Sequence, residues 1–213
     1  MDSLKSYGMV PGLDSVRELC RRLGDPQEGL NFVHVAGTNG KGSALAYVST
    51  VLTCAGYRVG RYISPTIREY RERFQINGRM ITQKDLCELA GEVKDACDAM
   101  RAEGLPHPTP FEVETALSFL YFIRKKCDLV VLETGMGGRL DATNVICSSQ
   151  VAVLASISMD HMQYLGNTLT AIAGEKAGIL KPGCRAVSAE QEPEAMEAIR
   201  ARAEQLGIPL TVA

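Results

Sequence analysis

The chain has 213 residues, 46% of them hydrophobic, enough for one sizeable core or for one large domain plus part of another. Charged residues make up 23% and the formal net charge is only -2, so there is no global attraction to nucleic acid or to an acidic membrane, and a bound anion has to be held by local geometry. The absence of Trp excludes a rich stacking platform for single strands, and no apolar run approaches the about 20 residues that span a bilayer.

In chain order, Leu13, Val16, Leu19, Cys20 and Leu23 recur at helical spacing, and Gly24-Asp25-Pro26 stops that helix. Residues 30–36 read as a buried strand running straight into Gly37-Thr38-Asn39-Gly40-Lys41-Gly42-Ser43. From Lys41 a second helix begins, with Leu45, Val48, Val51, Leu52 and Ala55 on one face, closed by Gly56. Residues 57–63 form a second strand leading to Ser64-Pro65. The charged stretch 66–81 contains the turn signal Asn77-Gly78 and reads as a long loop or a hairpin. Thr82 to Asp85 resembles a capping box opening a helix with Leu86, Leu89, Ala90, Val93, Cys97 and Met100 inward. Thr109-Pro110-Phe111-Glu112 is a second capping box with Pro at the first helical position. The helix it opens, to about Lys126, is apolar on most faces and therefore deeply buried. Residues 128–133 are an apolar run ending in Glu133, and 150–157 another leading to Asp160-His161. Residues 168–180 are helical up to Lys181-Pro182-Gly183, 184–188 form a strand, 193–207 a helix, and 208–213 begin one more strand.

Continuous apolar strands alternating with helices predict an α/β fold, a mostly parallel sheet with helices on both faces. A parallel sheet ending on a strand looks unfinished, so the chain is expected to be a fragment. The seven cysteines are odd in number and show no zinc or redox spacing. They read as small buried hydrophobes in a reducing compartment. The opening Met1 to Lys5 lacks the apolar stretch of a signal peptide, and the expected location is cytoplasmic.

The glycine loop carries the clearest chemistry. Backbone N–H groups approach a phosphate closely only where side chains are absent, hence Gly37, Gly40 and Gly42. The helix N-terminus after it adds the positive end of a dipole. Lys41 supplies a point charge to the phosphates and Ser43 a hydroxyl for Mg²⁺. The loop departs from the general G-x-x-x-x-G-K-[ST] pattern: Val35 stands where the first Gly falls, and Gly42 intervenes before the hydroxyl residue. The bland alternative is a glycine-rich strand-to-helix turn with no ligand.

A second set is Ser64, Glu133, His161 and Lys176. Glu133, His161 and Ser64 follow apolar strands at what should be the carboxyl edge of the sheet, where open α/β folds bind ligands. Glu133 is a natural cation ligand beside phosphates, or a solvated strand-end carboxylate. Taken singly, His161 is a loop histidine, Ser64 a turn residue and Lys176 a surface lysine. Gly135-Met136-Gly137-Gly138 is not a dinucleotide fingerprint, because position 140 is Leu.

The loop Ala36 to Ser43 resembles that of the Mur ligase superfamily, and the extra Gly42 resembles its folate branch, the folylpolyglutamate and dihydrofolate synthases. Tyr62-Ile63-Ser64-Pro65 followed by Glu72-Arg73 and Ile76-Asn77-Gly78 is similar to the branch's mobile loop. Residues 109–115 are similar to its T-x-F-E-x-x-T segment, Leu132 to Asn144 to its second signature, and Ser158 to His161 and Gly174 to Ile179 to two further blocks. The family's usual His-Leu after Ser-Pro is Thr66-Ile67 here.

The resemblance implies a P-loop NTPase-like central domain, here incomplete, with residues 1–213 as an N-terminal ATP-binding domain and a C-terminal glutamate-ligase domain absent. It implies an ATP-dependent carbon–nitrogen ligase that joins L-glutamate to a folate or dihydropteroate carboxylate. The cofactors implied are ATP and two Mg²⁺ ions. Ser64 and Glu133 hold one Mg²⁺ with Ser43 close by; His161 and a carbamylated Lys176 hold the second. Gly37, Thr38, Asn39, Gly40, Lys41, Gly42 and Ser43 bind the nucleotide, and Phe111 lies near the pterin side. The implied partners are folate or dihydropteroate, L-glutamate and ATP, with no nucleic acid or membrane; the full-length protein is expected to be a monomer, and the fragment inactive by itself. The alternatives are another Mur-type amide ligase acting on a cell-wall precursor and a non-catalytic ATP-binding module.

Overall fold

The computed structural model describes residues 12–213; the reading of Met1 to Lys5 lies outside them. Its centre is an eight-stranded sheet in the order β4-β3-β2-β5-β1-β6-β7-β8. The strands are β1 (Phe32–Ala36), β2 (Val59–Tyr62), β3 (Phe74–Ile76), β4 (Arg79–Met80), β5 (Leu129–Glu133), β6 (Val151–Leu154), β7 (Arg185–Ser188) and β8 (Leu210–Val212). From β2 to β8 the neighbours are parallel. β3 and β4 add antiparallel to β2, so the charged stretch 66–81 is the hairpin alternative, preceded by the 3-10 turn Tyr70–Arg73.

Among the described residues there are seven α-helices: α1 (Asp14–Arg22), α2 (Lys41–Cys54), α3 (Gln83–Ala102), α4 (Pro110–Arg124), α5 (Met162–Leu165), α6 (Leu169–Ala177) and α7 (Pro193–Leu206). Alternation along the strands assigns them to two faces. Phe32, Tyr62, Val130 and Leu132 point into a core shared with α1, α3 and α4. Further along the same face, Ala36, Ala152, Leu154 and Ala186 pack against α6 and α7. On the opposite face Val33, Val35, Val59 and Val131 meet Leu45 of α2. α4 begins with the expected capping box, Thr109 and Glu112 bonding each other's backbone N–H, with Pro110 in the first turn. It buries Phe119 and Phe122 completely. Gly60 makes room for it: a Cβ there would lie 2.7 Å from the Phe122 ring.

Several expectations are corrected. On α2 only Leu45 of the apolar face is buried; Val48 and Leu52 are partly covered, while Ala55 is exposed and Val51 is 66% exposed. On α3, Ala90 is exposed and Ala96 packs against the core instead. Helical period identifies a face but not whether anything lies against it. The helix expected over 168–180 ends at Ala177, and the short α5 precedes it. Cys20, Cys97 and Cys184 are buried as expected and Cys127 partly so, but Cys54, Cys87 and Cys147 are exposed; all seven are free thiols.

Candidate active site

β1 ends at Ala36 and the chain turns through the glycine loop into α2. Gly37 touches the strand beside it: a Cβ would lie 2.8 Å from the Ala155 methyl and 3.2 Å from its backbone. Gly40 caps α2 with φ 82, a left-handed backbone natural to glycine, and brings no side-chain cap. The amides of Lys41, Gly42 and Ser43 form the first helical turn, where N–H groups have no intrahelical acceptor; the bond across the cap runs from Ala44 N–H to Gly40 O, 2.9 Å. A Cβ on Gly42 would meet nothing within 4 Å. The helix therefore starts with free donors beside open space, which suits an anion. Thr38 and Asn39 also fix the loop in place. Both amides donate to Ser156 O, at 2.8 and 3.2 Å, and the Thr38 hydroxyl exchanges 3.1 Å bonds with Ser158 N and O. These two residues tie the loop to the end of β6.

Two amines converge on the loop. Lys41 Nζ folds back to Gly37 O at 3.1 Å and Thr38 O at 3.3 Å. Lys176 Nζ, from the last turn of α6, donates to the same Gly37 O at 3.0 Å. Lys176 is 2% exposed. Burial, and next the positive charge of Lys41, push its ammonium from the usual 10.5 down to about 8. It is not a surface lysine. Gly138 lets α6 come this close, since a Cβ there would lie 2.7 to 2.8 Å from the carbonyls of Glu175 and Lys176.

Glu133 ends β5, which lies between β1 and β2. It is buried, and burial raises its carboxyl above the usual range, opposed first by the Ser64 amide and then by Lys41 and Arg61. Ser64 N–H donates to Glu133 Oε2 at 3.3 Å, so the ends of β2 and β5 meet at one edge. His161 stands outside this cluster on the loop before α5. It has φ 46, is half exposed, and lies 3.5 Å from the Asp160 carboxylate. Asp160 in turn is close enough to act on Lys176. Among the described residues no three His, Cys, Asp or Glu side chains form a metal cluster; the oxygen donors at the loop are Glu133 with the hydroxyls of Ser43 and Ser64, a set suited to a hard cation. Phe111 covers the segment after Glu133. Its ring would be 2.6 Å from a Cβ on Gly135, and its centroid is 6.1 Å from that of Tyr62.

One network escaped residue-by-residue reading. His34, fully buried in β1, bonds Thr143 Oγ1 through Nε2 at 2.9 Å, and that hydroxyl donates to Asp141 Oδ1 at 2.5 Å. Because the Thr143 proton goes to Asp141, His34 must be the donor and carries its proton on Nε2. Asp141 also accepts the amides of Met136 and Thr143, at 2.8 and 3.0 Å. The imidazole at the sheet centre thus anchors the glycine segment 135–138 against α6. The available signal was Asp141-Ala142-Thr143, an Asx-type turn pattern; nothing local linked it to His34.

A phosphate-ready helix N-terminus, a buried carboxylate at the adjacent strand end and a second buried amine define the class. Residues 35–205 match the family model of the Mur ligase middle domain, and the chain belongs to that family. Within it, the chain is 44% identical over 204 residues to the dihydrofolate synthase/folylpolyglutamate synthase of Bacillus subtilis (strain 168), covering 95% of this chain and 47% of that protein. It is similar in structure to the apo form of L. casei FPGS, with a TM-score of 0.92 and 34% identity over 99% of this chain and 53% of that one. It is similar also to Mycobacterium tuberculosis folylpolyglutamate synthase complexed with ADP, with a TM-score of 0.88 and 36% identity over 94% of this chain and 46% of that one. The chain spans about half the length of these relatives or less. No described helix is long and apolar enough to cross a membrane.

Proposed function

We propose that the chain is the ATP-binding part of a ligase that joins L-glutamate to the carboxylate of a folate or dihydropteroate. The observation that carries this reading is the meeting of Lys41, Lys176, Ser64 and Glu133 around one glycine loop. A substrate carboxylate oxygen attacks the γ-phosphorus of ATP and ADP leaves. The amine of glutamate then attacks the acyl carbon of the acyl phosphate, an amide forms, and phosphate departs with the amine proton passing to solvent. No side chain need become covalently attached. The amides at the start of α2 and the Lys41 ammonium hold the phosphates, donors fixed where charge spreads during phosphoryl transfer. Ser43, Ser64 and Glu133 would hold one Mg²⁺, and His161 with a carbamylated Lys176 a second. Bound Mg²⁺ neutralises charge on the phosphoryl oxygens. Carbamylation requires a neutral amine, and lowering Lys176 to about 8 leaves a larger neutral fraction at neutral pH than an ordinary lysine has. Phe111 would wall the pterin side.

The similar L. casei structures include an FPGS-AMPPCP-folate complex, which supports the nucleotide and folate parts of this reading. The glutamate subsite is assigned to sequence that the relatives have and this chain does not span, so the 213 residues alone should bind nucleotide and turn over little. Calorimetric titration with Mg²⁺ and a non-hydrolysable ATP analogue should show saturable binding that Lys41→Ala abolishes; unchanged affinity in that variant would refute the loop assignment. Robust ADP release from pteroate or tetrahydrofolate plus glutamate by this chain would refute the division of the site.

A further inference from the structure

Arg61 acts on Glu133 but has no role of its own in the proposed reaction. It lies on β2, three residues before Ser64, and pairs in register with Val131 of β5 and Gln75 of β3. Its strand neighbours Val59 and Ile63 face α2, so Arg61 faces α2 as well. Val131 points to the same side, and so does Glu133 two residues on, diagonal to Arg61 across the strand pair.

Arg61 is partly buried, and one atom of its guanidinium is uncompensated. Its Nε is buried without a hydrogen-bond partner. Burial disfavours its charge, and Glu133 favours it. Gln75, its partner on β3, directs its amide to Glu72 O at 2.7 Å instead. A buried polar atom without a partner is costly and calls for an explanation, and a ligand that supplies the partner is one. Arg61 and Lys41 both act on Glu133, and Lys41 shares the Gly37 carbonyl with Lys176, so three cations border the glycine loop and its neighbouring strand ends, an arrangement that suits a multiply charged anion.

We propose that Arg61 is a further nucleotide-binding residue, its guanidinium meeting the terminal phosphoryl oxygens of a bound triphosphate from the β2 flank. This rests on the functional reading above. The phosphates begin at the α2 N-terminus on β1; Glu133 and Ser64 lie across β5 towards β2, so the far end of the triphosphate approaches Arg61. Guanidinium donors match phosphoryl oxygens in pairs, which an ammonium does not.

The test is a pair of titrations on the 213-residue chain, Arg61→Leu against wild type, each with Mg²⁺-ADP and with a Mg²⁺-bound non-hydrolysable ATP analogue, and Arg61→Lys as the conservative variant. A charge-assisted hydrogen bond to the terminal phosphoryl group predicts at least about tenfold weaker binding of the triphosphate. ADP affinity should stay within about twofold, and Arg61→Lys should recover part of the loss. Equal losses for both nucleotides would mean that Arg61 serves the fold, and no loss for either would mean that it serves nothing at this site; each result overturns the proposal. Wild-type protein that binds neither nucleotide would overturn the functional reading itself, a distinct outcome.

Discussion

Replacing Lys176 by Met tests the buried amine directly. Met keeps the length and apolar stem of the side chain and removes its charge. Lowering a lysine from 10.5 to about 8 disfavours its charged form in the folded chain by about 3 kcal/mol, at about 1.4 kcal/mol for each pH unit. At pH 7 the ammonium is charged in both folded and unfolded chains, so wild type carries that whole penalty. The variant loses the bond to Gly37 O, a net of about 1 kcal/mol, but that carbonyl keeps its bond from Lys41. Lys176→Met should therefore be about 2 kcal/mol more stable than wild type at pH 7. Between pH 8 and 10.5 the unfolded chain holds a proton that the folded chain has released, so wild-type stability rises with pH across that window. The advantage of Lys176→Met should shrink and vanish by about pH 10.5; other groups titrate alike in both proteins and cancel. Urea denaturation of the two proteins at pH 7 and pH 10.5 in carbonate-free buffer measures this. A stability difference that does not change with pH would refute the claim that Lys176 is buried as an amine with a lowered pKa. In bicarbonate, a ¹³C carbamate resonance present in wild type and absent in the variant would mark the modified lysine.

Two more outcomes follow from packing. Gly178→Ala drives a Cβ to 2.4 Å from Arg139 Cβ and 2.6 Å from its Cα, where the neighbour is backbone-anchored and cannot swing aside; thermal unfolding should show a loss of about 1 to 3 kcal/mol, and an unchanged melting temperature would show that α6 does not dock on the glycine segment. Burial holds His34 neutral, pushed from 6.5 down to about 3. The unfolded chain then binds the extra proton below about pH 6.5, so wild-type stability falls as pH drops towards 3. His34→Gln, which keeps a donor for Thr143, should lose less over that interval in urea titrations; parallel losses would remove His34 from the acid response.

Much of the site was legible because its determinants are local. The run Gly37 to Ser43 states where side chains are missing, where a charge sits and where a helix starts, all within seven residues. The carboxyl ends of apolar strands likewise nominated Ser64 and Glu133. Arg61 was hidden, since an arginine inside a strand reads as an exposed position until the sheet order is known. The apolar face of α2 was over-read for the opposite reason: Val51 fits the helical period, but none of the described elements covers it.

By itself the sequence determined the alternation of strand and helix, the glycine loop with its inserted Gly42, and the caps that start α3 and α4, because propensity, capping and turn chemistry act within a few neighbours. Only the tertiary structure decided which distant groups share the site. Inserting β5 between β1 and β2 brings Glu133 to Ser64 across 69 positions, and folding α6 under Gly138 brings Lys176 to Gly37 across 139. Burial, a property of the whole packed sheet, turns an ordinary helix lysine into an amine that gives up its proton at about pH 8.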